Sequence, residues 1–77
     1  MNADSQLDTR GLRCPEPIMM LHKHVRRMAV GEVVQVLATD PATKRDIVQF
    51  CDFLPHELLS SDTEGEEFHY WIKKGSR

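Results

Sequence analysis

Residues 7–38 read LDTRGLRCPEPIMMLHKHVRRMAVGEVVQVLA, and this stretch decides the fold. Leu7-Asp8-Thr9 is a short strand, and Arg10-Gly11 turns the chain. Pro15 and Pro17 do not suit a helix interior, but they suit a helix entrance, where backbone N–H groups lack partners anyway. Ile18, Leu21, Val25 and Met28 then recur at helical spacing, with His22, Lys23, His24, Arg26 and Arg27 over the remaining surface. Arg26 and Arg27 sit where positive charge complements a helix C-terminus, and Gly31 is a stop after Val30. Val33 to Ala38 is an apolar run of the kind that forms a buried central strand. Two strands joined by a helical crossover run parallel, with right-handed connection.

Downstream, Asp40 is placed to cap a second helix and Pro41 to open it. That helix carries Ile47, Phe50, Cys51 and Leu54 on one face, and Pro55 ends it. Glu57 to Ser61 and Phe68 to Lys73 are two strands around a hairpin loop at Thr63-Glu64-Gly65-Glu66. Phe68, Tyr70 and Ile72 alternate with His69, Trp71 and Lys73, so one face is packed. The order β-α-β-α-β-β predicts an α/β (α+β) two-layer sandwich, with a four-stranded mixed sheet and both helices on one face. The 77 residues form a single domain (1–77), with 1–5 and 75–77 as loose ends.

The composition is 40% hydrophobic and 29% charged, as in a folded soluble domain. A net charge of −2 lacks the basic face of a nucleic-acid binder, so no direct nucleic-acid contact is expected. No apolar run is long enough to cross a bilayer, so no membrane role is expected. Two cysteines are too few for a disulfide-stapled secreted miniprotein and no secretory signal precedes the domain, which predicts a reduced thiol in the cytoplasm.

Cys14 stands at the mouth of the first helix. Thiol chemistry needs the thiolate, which a helix N-terminus favours. Arg10 and Arg13 add positive potential there, Glu16 opposes it, and Pro15 and Pro17 remove N–H donors while stiffening the entrance. Cysteine is a poor N-cap, so a purely structural role explains it badly. Cys51, on the apolar face of the second helix, reads as a small core residue. There is no Cys-x-x-Cys pair for dithiol exchange, and His22, His24, His56 and His69 show no metal-ligand spacing, so no metal and no resident cofactor are expected. One exposed sulfur on a stiff corner suits a carrier; a noncatalytic binding module and a thiol redox sensor are the alternatives.

Residues Leu7 to Pro17, with Ile18-Met19-Met20, Val30-Gly31-Glu32, Asp40-Pro41-Ala42-Thr43, Arg45-Asp46-Ile47, His56-Glu57-Leu58-Leu59 and Thr63-Glu64-Gly65, closely resemble the TusA family of sulfur carriers over nearly the whole chain. The resemblance implies a fold like the C-terminal domain of translation initiation factor three. It implies a persulfide on Cys14, received from a cysteine desulfurase and relayed to further sulfur-transfer proteins. The destination in that family is 2-thiolation of the tRNA wobble uridine, with molybdenum-cofactor sulfur supply as a further route. Such a carrier takes part covalently and is restored, rather than acting as a stand-alone enzyme. Arg13, Pro15 and Pro17 then support the motif. Arg10, Gly11, Glu16, Met19, Met20, Asp40, Lys44, Arg45 and Asp46 are the candidate partner-binding residues. Phe53 and Trp71 are either core or exposed apolar surface.

Overall fold

A computed structural model of the chain describes residues 2–75. Its elements are β1 (Ser5–Thr9), α1 (Glu16–Arg26), β2 (Val33–Ala38), α2 (Thr43–Phe53), β3 (Glu57–Glu64) and β4 (Glu67–Lys73). The sheet order is β1-β2-β4-β3. β1 lies parallel to β2, while β4 runs antiparallel to both β2 and β3. The expected mixed sheet and two-layer arrangement are therefore observed, with β2 and β4 in the middle.

Alternation along the strands builds the core. Leu7 faces Val36, Val36 faces Tyr70, and Val34 faces Ile72 across the ladders. With Ala38 and Phe68, these side chains meet Leu21, Val25, Ile47 and Phe50 from the helices. Leu21, Val34, Val36, Ile47 and Ile72 are fully buried. Removing so much apolar surface from water is the main favourable contribution to folding in a domain this small.

Several boundaries differ from the sequence reading. The regular part of α1 stops at Arg26, and Arg27 and Met28 donate to the carbonyls three residues back. This tightened turn drops Met28 into the core. Gly31 is thus not the helix stop. It has φ +92 and donates to the Lys74 carbonyl, steering the chain back to the sheet. Asp40 is not the N-cap of α2, since Ala42 occupies that position. Instead Asp40 folds an Asx turn, its Oδ1 accepting from Ala42 N at 3.0 Å.

β3 runs on to Glu64, so the hairpin closes over Gly65-Glu66 alone, and Leu59 is an extra residue where the β3–β4 register slips. The first residues are also less loose than expected. Ser5 is already in β1, and Asp4 exchanges two hydrogen bonds with the Val33 backbone. Gly75 donates to His56 Nδ1, while Met1, Ser76 and Arg77 lie outside the described residues.

Candidate functional site

The corner that carries Cys14 is built by short backbone bonds. Leu12 N donates to the Thr9 carbonyl, and Glu16 N donates to the Arg13 carbonyl. Gly11 takes φ +85, and its N–H donates to Thr39 Oγ1 at 2.9 Å. A side chain at this φ would be strained, which is why glycine stands there. The Cys14–Pro15 peptide bond is cis.

Asp40 ties this corner to the second helix. Its Oδ2 accepts from Cys14 N at 2.7 Å, while its Oδ1 holds Ala42 N. Its own carbonyl accepts from Thr43 Oγ1 at 2.7 Å, and that hydroxyl also meets the Tyr70 hydroxyl at 3.0 Å in the core. One carboxylate therefore fixes the start of α2 relative to Cys14, two residues before α1. Accepting these backbone N–H groups, with the charge of Arg13 nearby, holds the Asp40 carboxyl below its ordinary pKa.

Cys14 itself is exposed, and Cys51 is partly covered. The Asp46 carboxylate, in the same groove as the thiol, raises the Cys14 pKa above its ordinary value. Loss of solvation and the charges of Asp46 and Asp40 act in the same sense, and Arg45 opposes them more weakly. Burial pushes the Cys51 thiol further, to about 11. The helix entrance adds little activation, because α1 has no side-chain cap and prolines occupy its first positions.

The sulfur opens into a groove of about 350 Å³ between the two helices. Pro15 and Ile18 form one wall, and Asp46, Phe50 and Phe53 form the other. Phe53 is 85% exposed, an unusual position for a phenylalanine, and it stands beside the thiol groove. The sequence left Phe53 undecided. Its spacing from Asp46 and Phe50, two turns and one turn of helix respectively, is the signal that puts it on the same stripe of α2. Trp71, the other undecided residue, is half-buried in β4 and pairs with Gln35.

The other sequence-selected residues separate. Glu16, Met19 and Met20 line a separate depression along α1, together with Lys23 and Arg26. Gly11, Arg13 and Asp40 line a third depression behind the cysteine corner. Arg45 pairs with Asp46 at 3.5 Å. Lys44 lies over the Phe68 ring at 4.8 Å and lines a different groove, towards β3 and β4. Arg10 turns away to Asp8 at 2.9 Å and Glu67 at 3.4 Å. That contact holds the Asp8 carboxyl down to about 2, so Arg10 is not among the charges that act on the Cys14 thiol. His22 packs edge-on against Phe50, whereas His24 bonds Ser5 Oγ, so the two histidines diverge as their spacing predicts. Among the described residues no group of three His, Cys, Asp or Glu side chains could hold a metal ion, and no helix is long and apolar enough to cross a membrane.

Comparison with known proteins matches residues 5–74 to the family described as Sulfurtransferase TusA. The sulfur carrier protein TusA of Pseudomonas entomophila (strain L48) is 59% identical over 71 residues, covering 92% of this chain and 89% of the relative. The protein of the same name from Pseudomonas putida (strain GB-1) is 56% identical with the same coverage. The crystal structure of a SirA-like protein from Desulfitobacterium hafniense superposes with a TM-score of 0.80 at 18% identity, covering 94% of this chain and 99% of that one. At that identity the likeness concerns the fold.

Proposed function

The chain belongs to the TusA family, and from that membership and the Cys14 corner we infer that it is a sulfur carrier holding a persulfide on Cys14. The observation that carries this reading is an exposed thiol, fixed to the fold through its own backbone N–H, at the open end of an apolar groove. Exposure lets a second protein reach the sulfur, and fixation presents it in one orientation.

Loading is a thiol exchange. The Cys14 sulfur attacks the outer sulfur of a persulfide on the donor. The donor's S–S bond breaks, and its inner sulfur leaves with the electron pair and takes up a proton. A disulfane, Cys14–S–SH, remains on the carrier, and no external oxidant or reductant is consumed. Delivery repeats the step, with an acceptor thiol attacking the outer sulfur. Asp46, beside the thiol, is placed to take the Cys14 proton as the new S–S bond forms.

The donor that fits this chemistry is a cysteine desulfurase, and the acceptors are further sulfur-relay proteins leading to 2-thiolation of the tRNA wobble uridine. Molybdenum-cofactor sulfur supply is a second destination of the same cargo. The sulfur is cargo, so the reaction calls for no resident cofactor. A thiol that must be free at rest fits the reducing cytoplasm.

The test is the intact mass of the reduced protein after incubation with a cysteine desulfurase, its pyridoxal cofactor and cysteine. The expected result is a gain of one sulfur that persists in Cys51→Ser, disappears in Cys14→Ser and reverses with reductant. No gain with an active desulfurase, or a gain that survives Cys14→Ser, would sink the carrier reading.

A further inference from the structure

The groove at Cys14 does not end at Phe50. It continues along the helix pair into a second cavity of about 450 Å³, which shares His22, Phe50 and Leu54 with the first. The far end is lined by Arg26, His56 and Lys74, and no acidic residue lines it.

Lys74 is the unusual member. It is 9% exposed, and its Nζ donates to the Met28 carbonyl at 2.7 Å. The tightened turn that follows α1 explains that bond, because the carbonyls left free at the C-terminal end of a helix attract positive charge. The bond uses one of three N–H donors. None of the ion pairs among the described residues involves Lys74, Arg26, His22 or His56. A buried cation without a counter-charge is costly, and an anion supplied from outside would offset that cost. His56 is equally buried and accepts from Gly75 N at its Nδ1, which leaves Nε2–H as the donor of the neutral ring. Arg26 adds an exposed guanidinium at the rim.

The rest of the wall is apolar. Val25 and Leu54 flank the basic end, and Phe50 stands between His22 and His56, at ring distances of 4.8 and 5.4 Å. A bare inorganic anion would leave these walls in contact with water. An anion carried next to an apolar side chain would cover them.

We propose that the basic end of this groove seats a carboxylate flanked by an apolar side chain, on an acidic segment of a protein that exchanges sulfur with Cys14. The proposal rests on the carrier reading for the identity of the partner, but not for the site. The eleven residues of α1 span about 15 Å, a distance that about five residues of extended chain cover. A partner segment of that length, anchored at Arg26 and Lys74, passes over Leu54 and Phe53 and reaches the sulfur. Two attachments on one surface fix the direction in which the partner approaches. The attraction is local, since the whole chain carries a net charge of −2. It therefore weakens as salt rises.

The test is an amide NMR titration of the full, reduced chain with N-acetyl-leucine at constant ionic strength. N-acetyl-leucinamide, acetate and inorganic sulfate serve as the comparison arms. N-acetyl-leucine should give saturable shifts centred on Val25, Arg26, Leu54, His56 and Lys74. The neutral amide should bind about tenfold more weakly, the loss of one charge-assisted hydrogen bond. Arg26→Gln, a surface change, should weaken N-acetyl-leucine several-fold, and Lys74→Gln should do so more strongly if it folds. Equal affinity for the amide, shifts elsewhere, or an unaffected Arg26→Gln variant overturns the proposal. Sulfate binding as tightly as N-acetyl-leucine also overturns it, because the apolar flank would then contribute nothing. Persulfide loading at Cys14 is read separately by mass. Loading without probe binding refutes this proposal alone, and probe binding without loading refutes the carrier reading alone.

Discussion

Replacing Phe53 with alanine should impair sulfur transfer and leave folding almost untouched. The ring is 85% exposed, so folding gains little from it, and Phe53→Ala should change unfolding stability by less than about 0.5 kcal/mol. Covering a phenylalanine side chain completely is worth about 1.5–3 kcal/mol, and nearly all of that remains available for docking. A partner that covers most of the ring would gain about 2 kcal/mol from it, or roughly 30-fold in affinity. Phe53 lines the groove of Cys14, so a partner that reaches the sulfur must lie against or beside it. The measurement is the initial rate of persulfide transfer from a cysteine desulfurase, read by intact mass, as a function of carrier concentration. The expected change is a rise in KM by roughly one order of magnitude or more with kcat little altered, because the ring contributes to binding and not to the exchange. Urea unfolding of the same variant checks the fold. A KM unchanged within about threefold, or a stability loss above about 1 kcal/mol, would refute the view of Phe53 as an exposed docking residue.

Asp46→Asn removes the carboxylate that raises the Cys14 pKa, so the pH profile of iodoacetamide alkylation should move to lower pH and reactivity near neutrality should rise; an unmoved profile would show that Asp46 does not act on the thiol. Alkylation of the folded wild-type protein near pH 8 should be confined to Cys14, because burial holds the Cys51 thiol near 11, and peptide mapping should find Cys51 modified only after unfolding. His56 has its pKa lowered by burial and by the charges of Lys74 and His22, so the unfolded state binds its proton more readily. Stability should be complete above the ordinary value of 6.5 and fall as pH drops through it towards the folded-state pKa, and His56→Gln should flatten that part of the melting-temperature profile.

The element order could be read from the sequence because each element has its own local signal. Val33 to Ala38 matches β2 residue for residue, since an apolar run bounded by turn residues leaves little freedom. The Pro15–Pro17 pair marked the start of α1 for the same reason. Ends set by tertiary contacts were less legible. Met28 continues the helical apolar stripe, yet it reaches the core through a tightened turn beyond Arg26. Asp40 has the right residue type for a cap and precedes a proline, but Pro41 does not open the helix either: both sit in the turn before α2, which starts at Thr43. The Asp40 carboxylate is instead shared between Ala42 N and Cys14 N, a partner 26 positions away. Local spacing carries no information about such a contact.

The cysteine shows the same division in its chemistry. Its position at a helix entrance is visible in the sequence, and a helix entrance alone argues for a lowered pKa. Three features of the fold reverse that expectation. The prolines withdraw donors from the first turn, Arg10 is held by Asp8 and Glu67, and the parallel β1-α1-β2 crossover brings the acidic start of α2 to the sulfur. Asp46 and Asp40 therefore set the charge around Cys14, although neither is near it in sequence. Both carboxylates push the Cys14 thiol towards its protonated form, and an exposed thiol is less prone to unwanted oxidation than a thiolate. In the transfer proposed above, attack on a donor persulfide needs the thiol proton to leave as the new S–S bond forms, and Asp46, in the same groove as the sulfur, is the carboxylate placed to accept it.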